Sequence, residues 1–194
     1  MKRIFLSVAM VTLLAAGAFA QGISGGLKGG LNLANAIGKD AKDADMKMRI
    51  AYHFGGYVNI GFSETLSLQP ELLYNSVGAK MDEDVALHMN YISVPLNLQY
   101  SFGNFNIHAG PQFGFLMSAK AKADVDGQSA EVDMKDFFKS TDLGVNLGLG
   151  ANFGKLNASA RYTMGISKVW DTEEDVDAKN GVIQLSLGYK LFGE

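Results

Sequence analysis

The sequence predicts an all-β protein: an eight-stranded antiparallel up-and-down transmembrane β-barrel. Three observations predict it. Eight stretches alternate apolar and polar residues with a period of two, the repeat of a strand with two unlike faces. The connections between them alternate short and long. The polar parity of the stretches holds mainly Gly, Ser, Asn, Gln and Thr. A water-washed exterior would carry many Lys and Glu, whereas small uncharged polar groups suit the cramped interior of a narrow barrel.

The elements follow in order. Residues 1–20 read as a secretory signal peptide: Lys2 and Arg3, an apolar run from Ile4 to Gly17, then Ala18-Phe19-Ala20, with cleavage expected between Ala20 and Gln21. Residues 21–194 form one domain. The first strand, Ile23–Leu33, sets Ile23, Leu27, Leu31 and Leu33 against Ser24, Lys28 and Asn32. The second, Ile50–Phe62, sets Ile50, Tyr52, Phe54, Val58 and Ile60 against His53, Tyr57 and Asn59. A turn at Ser63-Glu64 leads to the third, Thr65–Val77, where Leu66, Leu68, Leu72 and Tyr74 oppose Ser67, Gln69, Glu71 and Asn75. The fourth, Met89–Phe102, and the fifth, Phe105–Met117, flank the hairpin signal Gly103-Asn104. The segment Ser118–Ser140, with its alternating Lys and Asp, reads as the longest loop. The sixth strand, Thr141–Phe153, turns at Gly154-Lys155 into the seventh, Leu156–Ser167. The eighth, Val182–Phe192, sets Ile183, Leu185, Leu187, Tyr189 and Leu191 against Gln184, Ser186, Gly188 and Lys190.

A meander of these eight strands puts every long connection at one end and every short turn, with both termini, at the other. That asymmetry is the pattern of bacterial outer-membrane barrels, and eight is their smallest strand count. The location expected is the bacterial cell outer membrane, with the termini periplasmic. The apolar parity then faces lipid. Aromatic residues gather at both ends of the strands, Phe62, Phe102, Phe105, Phe153 and Phe192 by the short turns and Tyr52, Tyr74, Phe115 and Tyr162 by the long loops, as two interfacial belts require. A soluble carrier barrel shows the same alternation but needs a charged outer face. The last strand must pair with the first, since an apolar terminal strand is otherwise an open edge. Pro70, Pro95 and Pro111 lie within strands, where bulges or bends are expected.

Composition narrows the function. The chain holds no cysteine, which excludes disulfides, thiolate metal sites and a lipoprotein anchor. The formal charge is −3, and loss of Lys2 and Arg3 with the leader makes it −5, so no nucleic-acid surface is expected. The glycine-rich runs near residues 25–30 and 144–154 alternate with Leu inside strands and open no helix, so they are not phosphate loops. No cofactor is called for.

Several short segments resemble the PorT-like outer-membrane β-barrel family of Bacteroidota. They are Gly26-Leu27-Lys28-Gly29-Gly30-Leu31-Asn32-Leu33, Leu68-Gln69-Pro70-Glu71-Leu72-Leu73-Tyr74, Tyr91-Ile92-Ser93-Val94-Pro95-Leu96, Ala109-Gly110-Pro111, Asp142-Leu143-Gly144 and Arg161-Tyr162. Their order spans most of the mature chain. The resemblance implies the barrel fold and makes the three prolines family features; it implies no particular activity. The last strand also resembles the insertion signal read by the outer-membrane assembly machinery. Gly188, Tyr189, Leu191 and Phe192 stand at its positions, with Gly193 and Glu194 trailing where the usual form ends on the aromatic.

Candidate functional residues are few. Lys28, Glu71, Asp142, Arg161 and Lys190 point inward and are expected to form a polar network in the lumen, with Glu71 and Arg161 paired across it. That network fits a lumen filled by side chains, because buried charges need partners, and the alternative is a gated polar path. The acidic cluster Asp171, Glu173, Glu174, Asp175 and Asp177 lacks the spacing of a calcium loop and reads as a solvated loop rather than a metal site. A lipid hydrolase would need Ser and His near the outer leaflet. His88 and Ser76 are the nearest pair, His53 and His108 read as interior polar residues, and no Gly-x-Ser-x-Gly elbow is present. The expected function is therefore a non-enzymatic structural or interaction module that displays four surface loops, with a narrow selective channel as the alternative. Its expected partners are outer-membrane lipid and lipopolysaccharide, the barrel assembly machinery during insertion, and a protein partner bound through the long loops.

Overall fold

The computed structural model describes residues 22–43, 46–80, 85–125, 128–171 and 176–193. The signal peptide and its cleavage site, and Glu173, Glu174 and Asp175 of the acidic cluster, lie outside these residues. Nine strands are present: β1 (Ile23–Ile37), β2 (Lys47–Gly61), β3 (Leu66–Lys80), β4 (Val85–Phe102), β5 (Phe105–Val125), β6 (Gln128–Asp133), β7 (Thr141–Phe153), β8 (Leu156–Gly165) and β9 (Lys179–Phe192). One short helix, α1 (Lys39–Asp43), and a turn of 3-10 helix at Lys135–Phe137 complete the described elements.

Eight of the strands close a ring. Each of β1 to β5 pairs antiparallel with the next, β5 continues to β7, β8 and β9, and β9 returns to β1. The closing ladder sets Leu27 opposite Tyr189, Leu31 opposite Leu185 and Leu33 opposite Ile183. Closure leaves no edge among the staves, which is how a barrel satisfies its backbone in hydrocarbon. The short turns are tight. Gly103 and Gly154 take positive φ (60° and 63°) at the head of the β4–β5 and β7–β8 turns, where a side chain would be strained. At the β2–β3 turn the Leu66 and Thr65 amides donate to Ser63 Oγ.

The apolar parity faces outward as the alternation predicts. Leu187 is 70% exposed, Leu147 67%, Leu149 62% and Leu72 60%, and Ile183, Leu185, Tyr189 and Leu191 are exposed with them. On a soluble protein this surface would be an aggregating patch; here it forms a continuous girdle around the barrel. Phe102 and Phe105 stack near one rim, and Tyr52, Phe54 and Tyr74 stack toward the other.

The structure corrects three expectations. The segment after Met117 is not a plain loop: β5 runs on to Val125 and folds back through β6, which among the described strands pairs with β5 alone. Its alternation of Lys120 and Lys122 with Ala119, Ala121 and Ala123 is itself a period-two pattern, with alanine too small to stand out. The polar stretch after β1 contains α1. The prolines produce no bulge. Pro70 faces Leu96, Pro95 faces Gln112 and Pro111 faces Val145 in unbroken register, and the register shifts fall instead at Gly25/Gly26, Met48/His53 and Asn90/Tyr91. The ring absorbs a lost N–H because the neighbouring ladder pairs hold the strands in place.

The lumen has two halves. At the long-connection end it is apolar: Val77, Leu87, Met89, Tyr91, Leu116 and Ala119 pack beneath Phe138 and Val169. Phe138 and Trp170 face each other at 4.5 Å between ring centroids, and the amides of Lys139 and Asp171 donate to the carbonyls of Val169 and Phe137. The two connections that flank β7 and β8 are thereby joined into a cap. The Lys39 amide donates to Asp177 Oδ2 and the Asp177 amide to Asp40 Oδ2, tying α1 to the same cap.

Candidate functional site in the barrel lumen

The central lumen is polar and every charged group in it has a partner. Glu71 projects from β3 and Arg161 from β8, staves four apart in a ring of eight and therefore diametrically opposed. Arg161 Nη2 donates to Glu71 Oε1 at 2.6 Å and Nη1 to Oε2 at 3.0 Å, a bidentate fork. Lys28 of β1 adds its ammonium at 3.3 Å and 3.4 Å to the same two oxygens. Gln69 Nε2 (2.8 Å) and Asn97 Nδ2 (3.3 Å) complete the shell around the carboxylate. All three charged residues are buried. A carboxylate so deep in protein is tolerable only because its lone pairs are taken up this fully.

Two amide layers extend the cluster. Thr163 donates to Asn146 Oδ1, Asn146 to Asn97 Oδ1, and Asn97 to Glu71. Asn32 and Gln184 both donate to Asn75 Oδ1, and Gln184 donates also to Asn32 Oδ1. The histidine tautomers follow from their partners. Arg161 Nε can only donate, so His108 Nε2 accepts from it at 3.3 Å, and the His108 proton sits on Nδ1 facing Asn106 Oδ1. His53 Nδ1 lies 2.7 Å from Asn32 Oδ1 and its Nε2 2.8 Å from Ser186 Oγ. Gly148 matters here. The His108 ring occupies the space a β-carbon would need, so only glycine lets it lie flat against β7.

Of the five inward charges singled out in the sequence, the structure brings three together. Asp142 stands apart at the capped end, accepting from Ser167 Oγ (2.7 Å) and Asn180 Nδ2 (2.8 Å). Lys190 stands at the opposite end, on the wall of an open vestibule. Parity tells which way a side chain points and not how high it stands, so the network drawn from parity was too wide. Of the insertion-signal residues, Gly188 faces the lumen, while Tyr189, Leu191 and Phe192 face outward at the short-turn rim, with Phe192 lying over Gly25. Reading by alternation also missed Arg49, which is buried and donates to the Val77 carbonyl and to His88 Nδ1 at 2.8 Å each. It missed Leu73 too, an apolar side chain inside the lumen between Glu71 and Asn75.

Below the ion cluster the lumen opens into a vestibule of about 680 Å³ at the short-turn end, with Lys28 on its wall. Above it, the gaps beside Tyr91 and beneath Trp170 hold about 10 Å³ each, no more than one water apiece. Among the described residues the barrel is thus a blind cup: wet and polar from one end, closed by ions at the middle and by an apolar cap at the other. No group of metal-ligating side chains occurs among the described residues, and no described helix is long and apolar enough to cross a membrane.

The family model of the outer membrane protein beta-barrel domain matches residues 19–171. The chain belongs to that family. No curated protein matches it in sequence. Among solved structures, Ail, the attachment invasion locus protein of Yersinia pestis, is similar at a TM-score of 0.50 and 17% identity, covering 87% of this chain and 98% of that one. Ail in complex with the heparin analogue sucrose octasulfate gives 0.50 and 16%, covering 87% and 99%. Neisserial surface protein A gives 0.53 and 13%, covering 86% and 97%. At such identities the likeness is one of fold, and it places this outer membrane β-barrel among the eight-stranded barrels of the bacterial outer membrane.

Proposed function

We infer that this protein is a surface-display module of the outer membrane, with its long connections outside and its termini and short turns in the periplasm. The observation that carries the reading is the blind lumen. A solute would have to part the Glu71–Arg161–Lys28 cluster and then the Phe138–Trp170 cap. The long-connection end, by contrast, is built to be seen. The β5–β6 hairpin rises beyond the ring, and β6 has no second neighbour among the described strands, so its outer edge is free to pair with an extended segment of a partner protein. Outer-membrane lipid and lipopolysaccharide surround the girdle, and the assembly machinery reads β9 during insertion. The ordered motifs around Glu71, Pro95, Pro111 and Arg161 support a relationship to PorT-like proteins of Bacteroidota.

This reading contains no catalysis. His88 Nδ1 accepts from the Arg49 guanidinium, which never gives up its proton, so a neutral His88 carries its hydrogen on Nε2 and has no lone pair left to activate Ser76.

The test has two arms. In planar bilayers the purified protein is expected to give no steady single-channel current; large, steady currents would overturn the closed-lumen reading. In whole cells, a photo-crosslinking side chain at the exposed Val132 of β6 should trap a discrete protein partner. The same group at Lys155, on the opposite rim, should not. Equal trapping at both positions would remove the support for a surface site.

A further inference from the structure

The geometry points to the vestibule as a binding site for a small multivalent oxyanion, a carboxylate or phosphate compound, admitted from the short-turn end. The volume, about 680 Å³, falls within the range of ligand pockets. Its inner wall is charged in a definite sense. Two cations, Lys28 and Arg161, share one carboxylate, Glu71, so the cluster at its floor carries a net +1. His108 beside it does not alter that balance, because its Nε2 accepts from Arg161 Nε. Lys28 spends its two described hydrogen bonds on Glu71, both longer than 3.2 Å, which leaves donor capacity for a ligand. Farther out, Lys155 and Lys190 line the wall, and Glu64 is the single acid among the described lining residues. Most of the rest of the lining is amides and hydroxyls that can donate to oxygen, Gln69, Gln99 and Asn157 among them, with Leu66 and Leu156 as its apolar side chains.

This arrangement does what a ligand site for oxyanions must. A positive floor between low-dielectric walls focuses the field along the axis of the cup. The amide walls replace water at the ligand oxygens. The floor is sealed, so the ligand enters and leaves by one mouth and transport across the membrane is not part of the proposal. Nor does the proposal rest on the surface-display reading, since the vestibule lies at the other end of the barrel.

Isothermal titration of the full-length mature protein in detergent micelles tests it, with citrate as the probe, inorganic phosphate as a smaller anion and xylitol as a neutral control. Citrate is expected to bind one to one and to weaken with added salt; xylitol is expected not to bind. Lys28→Met should weaken citrate about ten- to hundredfold, the value of one buried charge-assisted hydrogen bond. It leaves the Glu71–Arg161 fork intact, and retention of fast migration by the unboiled protein on a gel confirms the fold. Lys190→Gln, which breaks no network contact, should weaken binding a fewfold, and Glu64→Gln should leave it unchanged or tighten it. Absence of saturable citrate binding to the folded wild type, equal binding of xylitol, or unaltered citrate affinity in both lysine variants would overturn the proposal.

Discussion

Replacing Glu71 with Gln probes the centre of the molecule. The carboxylate accepts from Arg161 twice, from Lys28, from Gln69 and from Asn97. Glutamine keeps the size and one acceptor oxygen but removes the charge, so two buried cations are left without a counter-ion. Breaking a buried ion pair from one side costs about 3–5 kcal/mol, chiefly through the uncompensated partner. The unfolding equilibrium should therefore shift by roughly two to four powers of ten. Guanidinium unfolding in phospholipid vesicles measures it, followed by the emission of the single tryptophan, Trp170. The companion variant Glu71→Gln/Arg161→Met removes one orphaned cation along with its partner. It should recover more than about 1 kcal/mol relative to the sum of the single changes, as directly contacting residues do. If Glu71→Gln stays within about 0.5 kcal/mol of wild type, or if the two single effects simply add, the cluster does not hold the barrel as described.

The remaining predictions concern other levels of the structure. Leu187→Arg, at the most exposed apolar position of β9, should cost about 2–4 kcal/mol in vesicles, the penalty of a cation near the bilayer midplane, and little in a water-soluble peptide of the same strand. Phe138→Ala should loosen the cap and leave the ring intact: Trp170 emission shifts red and the Lys139 and Asp171 amides exchange faster, while the unboiled protein still migrates as a folded barrel. Gly148→Ala should displace the His108 ring and lose its hydrogen bond from Arg161, visible as a change in the His108 ring resonances; unchanged resonances would show that the close approach is unimportant. On the β5–β6 hairpin, Glu131 bonds to Lys122 and Lys120, which holds its carboxyl down at about 2. A depressed carboxyl lends its stabilisation above the unfolded value and loses it as pH falls toward the folded one. Exchange protection of β6 should therefore be constant from pH 7 to about 5 and decline only below about 4.5; a decline near neutrality would contradict the pairing.

How much of this was legible in the sequence depends on what each residue's environment imposes. The lipid face is the strictest environment in the molecule, so Ile183, Leu185, Leu187, Tyr189 and Leu191 could be assigned from alternation alone. The inside is more permissive. Leu73 and Pro95 sit among amides in the lumen, and no pattern flags them, because an interior position can be filled by either kind of side chain. Opposite charges on Glu71 and Arg161 announced a pair, but only strand order makes them opposite, and only register puts Asp142 above them and Lys190 below. The cap was not legible at all. Phe138, Val169 and Trp170 fall in polar stretches with no repeat, and they become a core only because barrel closure carries two distant connections to the same place.

The central cluster also bears on how the molecule is assembled. Glu71 and Arg161 are 90 residues apart, and Gln184 and Asn32 are 152 apart. Lys28 and Gln184 belong to the first and last strands of the ring. Contacts of such sequence separation form late, since the long loops they close must be ordered before any reward is returned. A partly built sheet holds Arg161 or Glu71 with its counterpart still missing, and such an intermediate has every reason to stay hydrated or to finish. The ion cluster therefore makes completion of the barrel close to all-or-none: the side chains that fill its lumen act as the check that the last strand has found the first.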